Sequence, residues 1–309
     1  MLLINDIKEL RRQLSAERDS GASICLVPTM GNLHAGHLTL VERAQQVCER
    51  AVVSIFVNPM QFGADEDFDK YPRTLDEDAA LLEQQGCDFL FAPDVSAIYS
   101  NSSDHSGIEL QTKAAPKTDE LAHHNYNPEL QTKVTVPSLG DNFCGSSRPG
   151  HFIGVTTVVN ILFNLMQPDK ACFGLKDYQQ YLLIKQMTHD LRMNIEIIGV
   201  ETHREANGLA MSSRNNYLSA AQREQAAILY QCLTDCKTRI LEGKRDFSAL
   251  EQTAQSTLSQ VGLRPDYFAV CNAQTLQPPT PNDRHLAILA AAYMGNTRLI
   301  DNVRLELPA

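Results

Sequence analysis

"ICLVPTMGNLHAGHLTLVERAQQVCERAVVSIFV", residues 24–57, decides the fold. Ile24–Val27 is a short apolar run that reads as a strand, Leu38–Glu49 has a helical period, and Val52–Val57 is a second apolar run. Strand, helix and strand in so short a span make a βαβ unit, with parallel strands and a right-handed crossover. The alternation continues. Thr74-Leu75-Asp76-Glu77 has capping-box spacing and opens a helix that Gly86 closes. Phe89-Leu90-Phe91 is a third strand, and Val155–Met166 a buried helix ended by Pro168. Ala171-Cys172-Phe173 is a fourth strand, Tyr178–His189 a helix and Ile195–Val200 a fifth strand.

This rhythm predicts a doubly wound, Rossmann-like α/β domain with a parallel sheet over residues 1–202. Beyond it the pattern changes. Two helices, 219–241 and 247–260, precede strands at 267–271, 285–293 and 297–303, with Gly295-Asn296 as a hairpin turn. That predicts a smaller α+β domain over 203–309, placed to act as a lid. At the N-terminus Ile4, Ile7, Leu10 and Leu14 suit one face of an amphipathic helix, while Asp6, Lys8 and Glu9 interrupt the apolar continuity of a signal peptide. The polar stretch 100–137, in which "ELQTK" occurs at 109–113 and again at 129–133, reads as a surface insertion. Its His105, His123 and His124 have no companion ligands at metal spacing.

Net charge is −10, with no Lys/Arg run, which opposes nucleic acid and anionic membrane as partners. The longest apolar run, Leu286–Met294, is too short to cross a bilayer as a helix. The eight cysteines form no C-x-x-C pair and several sit in apolar runs, so reduced buried thiols in a cytoplasmic protein are expected. Cys232 and Cys236 share a helix face, but two thiols alone make a poor zinc site.

Three clusters carry chemistry. Each strand end of a doubly wound sheet is a place for ligands. At the first, His34-Ala35-Gly36-His37 opens a helix whose N-terminal N–H groups and partial positive charge suit phosphate. The two imidazoles, three apart, face the same ligand, and Gly31 and Gly36 admit it closely. The second cluster, "FGLKDYQQ" at 173–180, puts Gly174, the cation of Lys176 and the acid of Asp177 at another strand-to-helix turn. The third, "GLAMSSRN" at 208–215, holds two hydroxyls and Arg214, a bidentate phosphate clamp.

Together these clusters resemble the nucleotidylyltransferase superfamily, with its H-x-G-H signature and later basic, serine-containing loop. In detail "PTMGNLHAGHLTLV", "SIFVNPMQFGADEDFDKYPRT", "SSRPGHFIGVTTVV", "FGLKDYQQ" and "GLAMSSRNNYLS" resemble the pantothenate synthetase (pantoate–β-alanine ligase) family across nearly the whole chain outside 100–137. The resemblance implies an ATP-dependent ligase that joins (R)-pantoate to β-alanine through a pantoyl adenylate, releasing AMP and pyrophosphate, with Mg2+ on the phosphates and a homodimeric assembly. It implies catalytic roles for His37, His34, Lys176 and Arg214. It implies an ATP site of Met30, Gly31, Asn32, Leu33, His34, Ala35, Gly36, His37, Gly174, Leu175, Lys176, Asp177, His203, Met211, Ser212, Ser213 and Arg214. Gln61 and Gln180 match pantoate-holding positions, Gln61 also the β-alanine site, and His37 the position of a proton donor. Arg148 and His151 belong to a motif near the site. Two positions depart from the pattern. Leu175 stands where Glu is common, so a nucleotide contact survives there only through backbone, and His203 replaces a β-branched residue at the adenine edge. The competing readings are a nucleotidylyltransferase with a phosphate-bearing acceptor, which has no need of Gln61 and Gln180, an RNA-binding synthetase-like protein, and a non-catalytic nucleotide sensor.

Overall fold

A computed structural model describes residues 1–63, 66–99, 130 and 132–308 of the 309-residue chain. The expected insertion at 100–137 lies mostly outside these residues, as do His105, His123 and His124. Six strands form one wholly parallel sheet: β1 (Leu2–Ile4), β2 (Ile24–Thr29), β3 (Arg50–Ile55), β4 (Phe89–Phe91), β5 (Lys170–Gly174) and β6 (Glu196–Val200). Their spatial order is β1-β4-β3-β2-β5-β6. The chain winds outward from β2 through β3 to β4, then returns to place β5 on the other side of β2. The crevice beyond the β2 and β5 ends is therefore the topological switch point, where doubly wound sheets bind ligands.

Helices cover both faces: α1 (Ile7–Asp19), α2 (Ala35–Val47), α3 (Leu75–Gln84), the short α4 (Val95–Tyr99), α5 (Pro137–Gly140) and α6 (Cys144–Ser147), then α7 (His151–Met166) and α8 (Tyr178–Asp190). Because a parallel sheet is buried on both faces, successive strand residues feed alternate cores. Ile24, Leu26, Val52, Phe89 and Phe91 pack with Leu10, Leu14, Phe163 and Leu183. Cys25, Val27, Ala51, Val53 and Leu90 pack on the opposite side with Val41, Ala44 and Leu82.

A second sheet is antiparallel, in the order β7 (Leu263–Asn272), β8 (His285–Met294), β9 (Thr297–Glu306). It packs with α9 (Ala220–Ala226), α10 (Ile228–Leu241) and α11 (Phe247–Gln260) around Leu229, Leu233, Leu258, Phe268 and Ile288. Cys271, Ala273, Leu276 and Leu289 from this part belong instead to the core beneath α7 and α8. Polar ties reinforce the junction: Ser147 Oγ donates to Asp266 at 2.8 Å and Tyr178 OH to the Ala273 carbonyl at 2.7 Å.

Several expectations are corrected. Residues 2–4 form a strand, so Ile4 lies in β1 against Phe91 and not on the helix, which begins at Ile7 with Asp6 accepting from the Glu9 N–H. Three residues are too few to show a period, and their partner lies far along the chain. Thr74 starts α3 without a capping box; its hydroxyl donates to Asp78 at 3.2 Å instead. The expected 219–241 helix is two, broken at Ala227. All eight cysteines are free and buried, and Cys232 and Cys236 both face the core. Among the described residues no helix is long and apolar enough to cross a membrane.

Candidate active site

The β2–α2 connection is held by a residue that sequence reasoning missed. Buried Asp78, from α3, accepts the Asn32 N–H at 2.8 Å and the Leu33 N–H at 2.7 Å. Gly31 (φ 82°) and Asn32 (φ 52°) are left-handed here. A Cβ at Gly31 would stand 3.0 Å from Asp78 Oδ2 and from Ile55 Cγ2, so both conformation and space require glycine. No local signal marks Asp78, because its partners lie 45 and 46 residues away.

The turn delivers His34 as the N-cap of α2. Its Nδ1 accepts the Gly36 N–H at 3.1 Å, and its own N–H donates to His37 Nδ1 at 3.3 Å. The His37 and Leu38 N–H groups go to the His34 carbonyl at 2.8 and 3.2 Å. This corrects the expectation of an open helix terminus: His34 itself takes up the Gly36, His37 and Leu38 N–H groups. Burial, with the charge of Lys176 nearby, lowers the His34 pKa to about 4. Burial, with His34 and Lys176, lowers that of His37 to about 3. Both rings are neutral at pH 7. Each Nδ1 is an acceptor, so each proton sits on Nε2, the donor left for the cleft that both rings line. The ring centroids are 4.1 Å apart. A Cβ on Gly36 would stand 3.0 Å from the His34 ring, so this glycine lets the ring fold over the helix start.

Gln61 sits in a single 3-10 turn, Pro59–Gln61, capped by Asn58. Asn58 is 1% exposed, and its polar atoms are fully used. Its Nδ2 donates to Gln61 Oε1 and to the Gly154 carbonyl, both at 3.1 Å, while its Oδ1 accepts from the Met60 N–H and from Tyr99 OH. Gln61 Nε2 also touches Met30 Sδ at 2.9 Å. Gly154 of α7 makes this approach possible, because a Cβ there would stand 2.4 Å from the Met60 carbonyl oxygen. Asn58 preceding Pro59 is a readable cap signal; Gly154 inside a helix is not. Arg148 pairs with Glu66 and reaches His151 Nε2 at 3.0 Å, and His151 Nδ1 meets the Gln61 carbonyl at 2.8 Å. Burial beside Arg148 lowers the His151 pKa to about 3. With Nε2 facing a guanidinium, Nδ1 carries the proton and donates to Gln61.

From β5, Gly174 leads into a 3-10 turn, Leu175–Asp177, that presents Lys176, whose Nζ is 3.5 Å from Asp177. Leu175 is buried against Gly199, where a Cβ would stand 2.6 Å from its Cδ2. The residue that departs from the family pattern is thus part of the core. The 203–211 segment folds back on itself, with the Met211 N–H on the His203 carbonyl at 3.0 Å, and leads to Ser212. Ser213 Oγ donates to the Asn32 carbonyl at 3.2 Å. Arg214, expected to clamp phosphate, grips Asp67 in bidentate fashion at 2.9 and 3.2 Å. Burial raises the Asp67 pKa, but the Arg214 hydrogen bonds and charge outweigh it and hold it below the usual value.

Met30, His34, Gly36, His37, Gln61, Gly174, Lys176, Asp177, Gln180, His203, Met211, Ser212, Ser213 and Arg214 line one cleft of ≈240 Å³. Gly31, Asn32, Leu33, Ala35 and Leu175 do not line it; they build the turns behind it. A wider cavity of ≈1060 Å³, running toward β8 and β9, shares Lys176, Gln180 and Arg214 with the first.

A family model described as pantoate-beta-alanine ligase matches residues 2–304. The pantothenate synthetase of Hahella chejuensis is 48% identical over 307 residues, covering 99% of this chain and 100% of its own. A crystal structure of pantothenate synthetase from Thermus thermophilus aligns with a TM-score of 0.84 at 38% identity, over 98% of this chain and 99% of that one. The pantoate-beta-alanine ligase of Francisella tularensis, complexed with beta-gamma ATP and beta-alanine, aligns with a TM-score of 0.72 at 31% identity, over 98% and 97%.

Proposed function

Because the chain belongs to the pantoate–β-alanine ligase family and is an ATP-dependent ligase joining pantoate to β-alanine, we propose that the cleft at the β2 and β5 ends is its adenylation site. ATP takes the groove from Met30 to His37, Gly174 to Asp177, and His203 with Met211 to Arg214, and pantoate takes Gln61 and Gln180. Behind the lining, Gly31, Asn32, Leu33, Ala35 and Leu175 serve through backbone. The pantoate carboxylate attacks the α-phosphorus; a C(O)O–P bond forms, the α–β phosphoanhydride bond breaks and pyrophosphate leaves. The β-alanine amine, seated beside Gln61, then attacks the acyl carbon; a C–N bond forms and the C–O bond to AMP breaks. Gln61 suits both partners because an amide binds carboxylate or hydroxyl without adding charge.

One observation carries the reading: two neutral imidazoles, each with its Nδ1 used as an acceptor and its proton therefore on Nε2, line the same cleft as Lys176 at the switch point. Neutral donors and one cation stabilise charge that grows on the phosphates in the transition state. With its pKa near 3, His37 in the free protein acts as a hydrogen-bond donor, not as an imidazolium giving up a proton. Mg2+, when bound, neutralises phosphate charge. Among the described residues no three His, Cys, Asp or Glu converge, and Glu66 and Asp67 are paired with Arg148 and Arg214. The donor set therefore fits an ion carried by the triphosphate, with Asp177 as the protein carboxylate beside it. A homodimer, a cytoplasmic location and a boundary near 202–203 between adenylation domain and lid complete the proposal.

The test is exchange of labelled pyrophosphate into ATP with pantoate and without β-alanine. Exchange is expected, since carboxylate attack reverses while the adenylate is held away from water. Exchange only on adding β-alanine would refute the stepwise reaction.

A further inference from the structure

Two adjacent residues of β9, outside every motif considered so far, fasten both cation-bearing turns of the cleft. Asn302, 6% exposed, spends both hydrogens of its amide on the β5–α8 connection: Nδ2 donates to the Leu175 carbonyl at 2.8 Å and to the Lys176 carbonyl at 2.9 Å. Asp301, 4% exposed, holds Arg204 in a bidentate pair at 2.6 and 2.9 Å. Arg204 also donates to the Gly208 carbonyl at 3.1 Å and lies 3.6 Å over the Tyr230 ring, while residue 204 bridges to Ala210 in antiparallel fashion. Arg204 therefore closes the fold-back whose next residues are Met211, Ser212, Ser213 and Arg214. The pair is joined within itself, because Asp301 Oδ1 accepts the Asn302 N–H at 2.7 Å.

We propose that Asp301 and Asn302 are positioning residues for adenylation, setting Lys176 against the Ser212–Arg214 loop from one rigid point on β9. The proposal rests on the reading of Lys176 and that loop as the phosphate-binding groups. Lys176 stands on a three-residue 3-10 turn, which has little hydrogen bonding of its own to fix it. Two amide bonds to consecutive carbonyls lock that turn's orientation, and hence where the ammonium lies. Adjacent residues on one strand cannot move independently, so the distance between the two phosphate contacts is set by β9.

The experiment compares Asn302→Ala, Asn302→Asp and Lys176→Ala, singly and combined as Asn302→Ala/Lys176→Ala, in pyrophosphate exchange with ATP and pantoate. Asn302→Asp keeps the shape but sets carboxylate oxygen against two carbonyls. Exchange at saturating substrate should fall by about 10–100-fold in each Asn302 variant, the scale of a small misplacement at a reacting centre. Pantoate KM should be unchanged, and the double variant should be no slower than Lys176→Ala alone, because Asn302 acts through Lys176. A loss of stability alone would lower the active fraction and multiply with the Lys176 effect. Full multiplicative losses, unchanged exchange in folded Asn302 variants, or failure of both variants to fold would each overturn the proposal. If Lys176→Ala itself exchanges normally, the phosphate-site reading fails instead. Asp301→Asn, which keeps one acceptor for Arg204, should raise the KM for ATP with exchange otherwise retained; an unchanged ATP KM would remove Asp301 from the pair.

Discussion

Gly154→Ala tests whether the α7 backbone sets the position of Gln61. The added Cβ would stand 2.4 Å from the Met60 carbonyl oxygen, 2.5 Å from its carbon and 2.7 Å from the Gln61 nitrogen, whereas ordinary contact begins near 3.4 Å. All three are backbone atoms, so no side chain can swing aside. The Pro59–Gln61 turn has to retreat by about 1 Å, a displacement that costs on the order of 10²-fold at a reacting centre. The retreat also stretches the Asn58 bond to the Gly154 carbonyl, now 3.1 Å. Overpacking of this kind costs about 1–3 kcal/mol, within reach of a domain with about 5–15 kcal/mol in hand. The variant should therefore fold, bind ATP normally in calorimetry, and show a pantoate KM raised or adenylate formation slowed by about 10²-fold in exchange. Wild-type pantoate kinetics in a folded Gly154→Ala protein would refute the assignment of Gln61. A loss of ATP affinity with pantoate intact would move the defect to the wrong half of the cleft.

His37→Ala should keep its fold and nucleotide binding while adenylate formation drops by about 10²–10³-fold, the scale of one lost transition-state donor, read by exchange. Arg214→Ala should slow exchange more than it weakens initial ATP binding, and Asp67→Asn should leave Arg214 better able to reach phosphate; slower exchange in Asp67→Asn would mean that the Arg214–Asp67 pair persists through the reaction. Acidification should destabilise the protein from about pH 6.5 toward 4. The folded pKa values of His34 (about 4) and His37 (about 3) lie below the ordinary 6.5, so the unfolded chain binds more protons across that window and stability falls with pH. Thermal melts of His37→Gln should fall less steeply over the same range, and an identical slope would exclude His37 as a contributor.

The parallel sheet was legible because each strand is an apolar run beside a helical period, a local signal for a local element. β1 was not, because three residues carry no period and their partner lies across the sheet in β4. The site divides in the same way. His34, His37 and Lys176 were legible as side chains at strand-to-helix turns and Arg214 as part of a polar loop, and all four line one cleft. Asp78, Gly154 and Asn302 were not, since their work is to hold or admit backbone from a distance, and one sequence does not reveal which remote backbone a carboxylate, an amide or a glycine will meet. The open helix terminus failed as an expectation for a related reason. Histidine is an uncommon N-cap, so nothing in "LHAGHL" announced that His34 would consume the N–H groups it was expected to leave for phosphate.

The sharing of one apolar core between the two sheets bears on cooperativity. Cys271, Ala273, Leu276 and Leu289 pack beneath α7 and α8, so separating the C-terminal sheet from the parallel one exposes hydrophobic surface in both. At about 25 cal/mol per Å² such exposure soon exceeds what a loop contact can return. The C-terminal sheet is thus anchored at its base. The 203–214 segment is fastened to β9 through Arg204 and Asp301, and tied to the parallel-sheet part by the Ser213–Asn32 and Arg214–Asp67 contacts. Heating should accordingly melt both sheets in one calorimetric transition, with the calorimetric and van't Hoff enthalpies agreeing, and not one layer at a time.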